Sequence, residues 1–144
     1  MAERDPLALD QQLCFALYSA SRALTNRYRP LLDELGLTYP QYLVMLALFE
    51  HGALSVKDLG THLRLDSGTL SPLLKRMSMA DLVHRTRSTA DERSVVIELT
   101  ERGAALRDRI GAIRGSLVDG LGCTADELVE LRTGLIRFVD GLSR

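Results

Sequence analysis

The sequence predicts a mainly α-helical fold with one small β-hairpin, a winged helix-turn-helix flanked by helices at both ends of the chain. Three observations predict it: two short amphipathic helical patterns joined by a tight turn, two β-favouring segments directly after them, and heptad-like apolar spacing at both ends. We expect one domain over residues 1–144, with the winged helix-turn-helix at 53–100 and dimerisation helices at 7–36 and 101–144.

The first helices are predicted from apolar residues at helical spacing. Such residues recur from position 7 to position 35, where Pro30 is expected to kink or split the pattern and Gly36 to end it. Thr38 and Gln41 then form a capping box, which opens a second helix ending near residue 52. This second helix is expected to pack beneath the helix-turn-helix.

The centre of the chain has the pattern of a helix-turn-helix. Ser55 and Asp58 can cap a first short helix, and Asp66 or Ser67 can cap a second one, whose buried stripe is Leu70, Leu73, Leu74 and Met77. The other face of the second helix is polar at its start and basic at its end, and carries Ser67, Thr69, Ser71, Lys75 and Arg76. Small hydroxyl side chains allow a recognition helix to approach bases, and basic ones neutralise phosphates. We therefore expect the hydroxyl residues to contact bases or adjacent phosphates, and the basic ones to contact phosphates.

Two segments predict the hairpin, or wing. Leu82–Arg87 and Ser94–Leu99 favour β structure, and turn-forming residues separate them. The hairpin carries Arg85, Arg87, Asp91 and Arg93, and an arginine at its tip could enter a minor groove. A solvated hairpin with ordinary surface arginines is the alternative, but the helix pair before it favours DNA binding.

The C-terminal segment predicts two helices with seams for a partner helix. Thr100 is expected to cap a helix that carries Leu106, Ile110, Ile113 and Leu117, and Thr124 and Glu127 form a capping box for the last helix. The last helix has apolar residues spaced three and four apart: Leu128, Leu131, Leu135, Phe138 and Leu142. These seams could pack within the chain. Their place on both sides of a DNA-reading centre favours a two-fold homodimer, with recognition helices about 34 Å apart on a pseudo-palindromic operator.

Composition narrows the function without identifying it. The formal net charge is −1, so DNA binding must depend on local charge: residues 64–93 hold six Lys or Arg against four acids. No apolar run approaches a membrane span and no signal peptide is apparent, so we expect a cytoplasmic protein whose two cysteines are thiols. His51, His62 and His84 show no ligand spacing, so we expect neither a metal nor a cofactor.

Several stretches resemble the MarR family of winged-helix repressors. The matching segments are QLCFALYSASR, YRPLLDELGLTYPQYLVMLALFE, LRLDSGTLSPLLKRM and RSTADERSVVIELT, between Gln12 and Thr100. Asp91 and Arg93 of the wing match the family in general. LCFALY, LTYPQY and LDSGTLSPLLKRM are similar to its organic hydroperoxide sensors, the OhrR subgroup.

This resemblance implies a redox-sensing cysteine, which maps to Cys14. It further implies that Tyr28 and Tyr39 of the partner subunit hydrogen-bond the sulfur, with Tyr18 nearby. Phenol donors and an early-helix position both favour the thiolate, the form that attacks a peroxide. Cys123, in the GLGCT segment, could resolve the oxidised sulfur through an intersubunit disulfide, as some sensors of this type do. An inert Cys14 and an idle loop thiol at Cys123 are the alternatives.

The sequence thus predicts a DNA-binding repressor that senses organic hydroperoxides through Cys14 and then releases its operator. The first alternative is a MarR-type repressor released by a non-redox phenolic or other ligand. A thiol peroxidase is the second, although the sequence shows no nucleophile site or reductase-docking motif. A dimeric scaffold with no DNA role is the third, and it would bind no operator.

Overall fold

A computed structural model describes residues 4–88, 90 and 93–143 of the chain. Its helices are a 3-10 turn at Leu9–Gln11, α1 (Leu13–Asp33), α2 (Tyr39–His51), α3 (Val56–Leu63), α4 (Ser67–Met79), α5 (Glu101–Ala104), α6 (Arg107–Asp119) and α7 (Ala125–Leu142). Its strands are β1 (Leu54–Ser55), β2 (Val83–Arg87) and β3 (Val95–Leu99). The fold is the predicted mainly helical one with a small antiparallel sheet. Asp91 of the wing lies outside the described residues.

Two compact units make up the chain, and their boundary falls inside α6. The first unit ends at Arg114 and the second begins at Gly115. The first contains the whole helix-turn-helix, the sheet and the helices that precede them. The second contains the end of α6 and all of α7.

Helix α1 runs unbroken through Pro30, so the predicted split is wrong. Proline removes one backbone donor, but Pro30 lies exposed near the end of the helix, where water can reach the carbonyl left without a partner. Gly36, with φ of 68°, lies just beyond the helix as predicted. The Leu37 amide donates to the Leu32 carbonyl at 3.1 Å, which closes the helix end in the usual left-handed turn.

Helix α2 is the centre of the core of the first unit. Its predicted capping box is confirmed: the Thr38 amide donates to Gln41 Oε1 at 3.0 Å, and the Gln41 amide donates to Thr38 Oγ1. The helix buries residues on several sides, Val44 and Met45 among them. Fully buried side chains of α3, α4 and the sheet complete the core: Leu59, Leu70, Leu74 and Ile97. The helix-turn-helix therefore rests on α2, as expected.

The sheet has three strands rather than the two that were predicted. Strand β3 is central, with β2 and the two-residue β1 antiparallel on either side, and Ile97 pairs with both Leu54 and Arg85. Two residues are too short to show an alternating pattern, which is why β1 was missed. The predicted hairpin strands are confirmed, and each begins one residue later than expected.

The segment after the sheet forms two helices where one was predicted. Thr100 caps α5 as expected, since its Oγ1 accepts from the Gly103 amide at 3.0 Å, and its hydroxyl donates to the Asp81 carbonyl at 2.6 Å. The Leu106 amide then bonds to Gly103 rather than one residue earlier, so a tighter turn separates α5 from α6. Gly103 is held against the Leu82 carbonyl oxygen, which a Cβ at this position would overlap.

Helix α7 has the predicted capping box between Thr124 and Glu127. It buries no residue: Leu131 is 60% exposed and Phe138 is 39% exposed. Among the described residues, no helix is long and apolar enough to cross a bilayer.

Candidate DNA-binding surface and cysteine sensor site

The turn between α3 and α4 fixes the geometry of the helix-turn-helix. Helix α3 ends at Leu63, and its C-cap Arg64 has a left-handed φ of 57°. The Leu65 amide then donates to the Gly60 carbonyl at 2.9 Å. Gly60 allows this close approach, because a Cβ there would lie 2.8 Å from the Leu65 carbonyl oxygen. Sequence reasoning did not identify Gly60, although a small residue near the end of α3 was visible in the pattern.

Helix α4 has the predicted recognition-helix character. Asp66 is its N-cap, with Oδ1 accepting from the Thr69 amide at 2.7 Å, and these hydrogen bonds from Thr69 lower the pKa of the Asp66 carboxyl. The choice left open between Asp66 and Ser67 therefore falls on Asp66. The predicted stripe is buried, and the polar face is exposed: Ser67, Thr69, Ser71, Lys75 and Arg76.

A cleft between the recognition helix and the wing joins residues from four elements. It is lined by Lys57 of α3, Ser71 of α4, Arg85 of β2 and Arg93, together with Val56, Ser94 and Val95. The cleft thus brings together Ser71, Arg85 and Arg93, three residues predicted to contact DNA, and places Lys57 beside them, a basic residue that sequence reasoning did not single out. The position of Lys57 beside the apolar stripe of α3 was the available signal. Arg87 is exposed at the end of β2 and does not line the cleft.

Cys14 is an exposed free thiol in the first turn of α1. The residues on either side of it in the sequence, Leu13 and Phe15, are 58% and 41% exposed, so this turn of α1 carries exposed apolar side chains. Tyr18, one turn further along, is exposed too, and the guanidinium of Arg22 stacks over its ring at 5.5 Å. This end of α1 therefore presents the thiol and apolar groups outward.

Tyr28 cannot reach Cys14 of its own chain. The two residues are on the same helix, fourteen positions apart, and an α-helix rises 1.5 Å per residue, so they are separated by about 21 Å along its axis. A hydrogen bond to sulfur needs a separation several times smaller. Any contact between Tyr28 and this thiol must therefore involve a second copy of the chain.

Three tyrosines form a cluster between α1 and α2. The ring centroids of Tyr28 and Tyr39 are 5.3 Å apart, those of Tyr28 and Tyr42 are 5.3 Å apart, and those of Tyr39 and Tyr42 are 5.9 Å apart. Burial, followed by the proximity of Tyr28, raises the pKa of Tyr39 and that of Tyr42. Both phenols thus stay protonated at neutral pH and can donate hydrogen bonds. The cluster unites the predicted Tyr28 and Tyr39, but not Tyr18, and adds Tyr42, which was missed.

Cys123 lies in the second unit, just before α7. It is an exposed free thiol that donates to the Leu121 carbonyl at 3.6 Å, and it follows Gly122, whose φ is 68°. Both predicted cysteines are therefore accessible to solvent in the described chain.

A pocket of about 280 Å³ lies beside Tyr39 in the first unit. It is lined by Thr25, Arg29, Leu32, Asp33, Leu37, Thr38, Tyr39 and Pro40. The pocket could hold a small molecule.

Across the described parts of the chain, no group of three or more potential metal ligands is brought together.

Comparison with known proteins places these features in context. Residues 26–110 match the family described as transcriptional regulator SarA/Rot. The chain is 47% identical to the organic hydroperoxide resistance transcriptional regulator of Bacillus subtilis, over 96% of this chain and 94% of that protein.

Two solved structures of AbfR, a protein of Staphylococcus epidermidis, are similar to the chain. Reduced AbfR bound to DNA superposes with a TM-score of 0.84 at 33% identity, over 94% of this chain and 95% of that one. The disulfide form of AbfR superposes with a TM-score of 0.69 at 34% identity, over 91% of this chain and 92% of that one. The similarity is thus higher to the reduced, DNA-bound form.

Proposed function

We propose that this chain, which belongs to the MarR/SarA family of winged-helix transcriptional regulators, is a repressor that senses organic hydroperoxides through Cys14 and then releases its operator. The observation that carries the proposal is the exposed Cys14 thiol at the start of α1, in a chain with a DNA-reading helix and wing. The hydroperoxide regulator of Bacillus subtilis supports the same inducer class. Relatives that are transcriptional regulators give no support to a thiol peroxidase.

A homodimer on a pseudo-palindrome explains the apolar surfaces at both ends of the chain. Helix α7 buries none of its residues, and Leu13, Phe15 and Leu24 of α1 are exposed. Apolar faces of this extent favour burial against a second copy. Two-fold pairing would present two recognition helices to successive major grooves.

The sensor is completed across the dimer interface. Tyr28 lies about 21 Å along α1 from the Cys14 of the same chain, and Tyr39 is clustered with it, so both serve the partner's Cys14. Their protonated hydroxyls can donate to a thiolate, and such hydrogen bonds lower the thiol pKa. Tyr18, on the same helix face as Cys14, supports the site from within its own subunit.

Oxidation then follows from thiolate chemistry. The Cys14 sulfur attacks the terminal oxygen of the hydroperoxide; an S–O bond forms, the O–O bond breaks, and the alkoxide takes up a proton and leaves as an alcohol. The exposed apolar side chains of Leu13 and Phe15 favour an organic hydroperoxide over hydrogen peroxide. The product is a cysteine sulfenic acid.

Cys123 of the partner subunit resolves this sulfenic acid. Its sulfur attacks the Cys14 sulfur, an S–S bond forms, and the hydroxyl leaves as water with the proton of the thiol. The lower similarity to disulfide-formed AbfR supports a change of conformation at this step. Non-reducing electrophoresis after cumene hydroperoxide should show a covalent dimer in the wild type and a monomer in Cys123→Ser. A wild type that stays monomeric would exclude the resolving role.

On DNA, each predicted residue has a defined role. The hydroxyl residues of α4 contact bases or adjacent phosphates, Lys75 and Arg76 contact phosphates, and the wing approaches the minor groove. Lys57 lies in the same cleft as Ser71 and Arg93 and contributes a further phosphate contact. The remaining proposed contacts are Asp66, Arg85, Arg87 and Asp91.

A gel shift on the DNA upstream of the chain's own gene tests the function. We expect the wild type to bind this DNA and to release it with cumene hydroperoxide, and Cys14→Ser to bind it and stay bound. Release of both proteins would contradict redox sensing. The pocket beside Tyr39 favours one alternative, a repressor released by a non-redox phenolic ligand, and Cys14→Ser would still respond to such a ligand.

A further inference from the structure

The last turn of α2 contacts two other helices. The Arg107 side chain, at the start of α6, donates from Nη1 to the Phe49 carbonyl at 3.4 Å, and its guanidinium lies 5.5 Å from the centre of the Phe49 ring. Two residues further along α2, the His51 ring stacks on that of His62 in α3, with the ring centroids 4.1 Å apart and the planes 17° from parallel. This turn therefore connects α6 with the first helix of the helix-turn-helix.

The Arg107 contact closes a helix end. The last four carbonyls of an α-helix have no amide partner within it, and in α2 these include Leu48 and Phe49. The Leu48 carbonyl accepts from the Gly52 amide, and the Phe49 carbonyl accepts from Arg107 instead. A cation here also interacts favourably with the negative end of the helix dipole and with the aromatic ring. Arg107, 58 positions further along the chain, thus caps α2 from another helix.

Helix α6 is also where the chain crosses from one compact unit to the other. It begins at Arg107 in the first unit and ends at Asp119 in the second, which carries Cys123 and α7. In the proposed function, Cys123 forms a disulfide on oxidation, whereas the first unit binds the DNA. A change that begins in the second unit therefore reaches the first along α6.

We propose that Arg107 is a positioning residue that couples the sensor to the DNA-binding surface: it ties α6 to the last turn of α2, and the stacked histidines pass a displacement of that turn on to α3. The inference rests on the proposed function, in which oxidation of Cys14 releases the operator. Coupling between distant sites is carried by chains of packed side chains and by rigid helices. Helix α3 leads directly into the tight turn before α4, so a displaced α3 misplaces the recognition helix.

A purely structural Arg107 gives a different expectation. If it only caps α2, its loss would lower the melting temperature and weaken DNA binding equally in the reduced and the oxidised protein. If it transmits the redox state, its loss must change the ratio of the two dissociation constants. A uniform electrostatic effect on DNA binding cancels from this ratio, which therefore separates the two roles.

The experiment measures the dissociation constant of the DNA upstream of the chain's own gene by fluorescence anisotropy. Each protein is measured reduced and after cumene hydroperoxide, with oxidation of Cys14 confirmed by mass spectrometry. Arg107→Met keeps an unbranched side chain of similar length and removes its charge and its donors. We expect it to lower the ratio of the oxidised to the reduced dissociation constant about fivefold, because the oxidised protein keeps more of its affinity. Arg107→Lys, which keeps the charge and a donor, should restore part of the ratio.

Two further variants control for charge and test the order of the contacts. Arg109→Met makes the same change at an exposed position of the same helix, about 200° around it from Arg107, and should leave the ratio unchanged. His62→Ala removes the stack on α3 and should lower the ratio as Arg107→Met does. Contacts that act in series give a double variant with no larger effect than the single ones, whereas the effects of independent contacts multiply.

The outcomes separate this inference from the proposed function. If oxidation releases the wild type and Arg107→Met gives the same ratio, Arg107 has no coupling role and the sensor proposal stands. If Arg109→Met lowers the ratio as much as Arg107→Met, or if the effects of Arg107→Met and His62→Ala multiply, the inference is overturned. If wild-type protein with oxidised Cys14 stays bound to the DNA, the proposed function fails, and the role of Arg107 fails with it.

Discussion

A mixed dimer tests whether the sensor is built from two subunits. Cys14 and Tyr28 of one chain are about 21 Å apart along α1, whereas a hydrogen bond to sulfur spans about 3.5 Å. We consider a dimer of one Cys14→Ser chain and one Tyr28→Phe chain, both with Cys123→Ser. Its single Cys14 faces the intact Tyr28 of the partner and should react with cumene hydroperoxide at the wild-type rate per thiol.

In the matched control, the intact Tyr28 lies on the same chain as the single Cys14 instead of on the partner chain. Here one chain carries both Cys14→Ser and Tyr28→Phe, and the other carries neither change. The remaining Cys14 keeps the Tyr28 of its own chain but faces Phe in its partner. One hydrogen bond to a charged group contributes about 1.5–3 kcal/mol. Its loss should raise the Cys14 pKa by about one unit or more and slow the reaction about tenfold.

The assay is stopped-flow loss of thiol in dimers purified with two affinity tags. The Tyr28→Phe homodimer gives the slow reference rate and the Cys123→Ser homodimer gives the fast one. A first mixed dimer that reacts slowly, together with a control dimer that reacts fast, would show that Tyr28 acts within its own subunit. Such a result would refute the distance reasoning.

Three further predictions concern the first unit, which contains the helix-turn-helix and the sheet. Lys75→Ala should weaken binding to all DNA sequences alike and lower the slope of log affinity against log salt by about one; a loss confined to the cognate operator, in anisotropy titrations over salt, would contradict the phosphate role. Gly103→Ala should cost about 1–3 kcal/mol in urea unfolding, because its methyl group would overlap the Leu82 carbonyl oxygen, whereas Gly111→Ala, with open space around it, should be neutral or stabilising. Asp66→Ala should be less stable than the wild type at neutral pH, and the difference should vanish in acid. The reason is that folding lowers the pKa of Asp66. Its stabilisation is therefore present above the ordinary value of 3.8 and is lost as pH falls through the folded pKa. A difference that persists in acid would show that the carboxylate charge is not needed for the cap.

The helix-turn-helix was predictable because several local signals agree there. The stripe of α4 has clear helical spacing, and the capping residues Ser55 and Asp66 stand where α3 and α4 begin. Outside the helix-turn-helix, Thr124 marks the start of α7 in the same way. Each of these features depends on residues close in sequence. The same holds for Gly36, whose left-handed conformation closes α1.

Features that depend on tertiary neighbours were not predictable. Strand β1 exists because β3 offers it an edge, and its two residues carry no pattern of their own. Tyr42 has the spacing of a core residue, and its ring lies 5.3 Å from that of Tyr28 on another helix. Lys57 joins the wing cleft only through the packing of α3 against α4 and the sheet. Pro30 was expected to kink or split α1, and the split does not occur because an exposed position near the helix end is tolerant of proline.

In the proposed mechanism, loss of the Cys14 thiolate to oxidation releases the DNA. The most direct measurement follows labelled operator by stopped-flow anisotropy after mixing the protein–DNA complex with cumene hydroperoxide, while quenched samples give the oxidation state of Cys14 by mass spectrometry. We expect DNA release to follow Cys14 oxidation in time, and both to accelerate as pH rises through the thiol pKa. Operator that stays bound after every Cys14 has been oxidised, or that leaves before any has reacted, would contradict it.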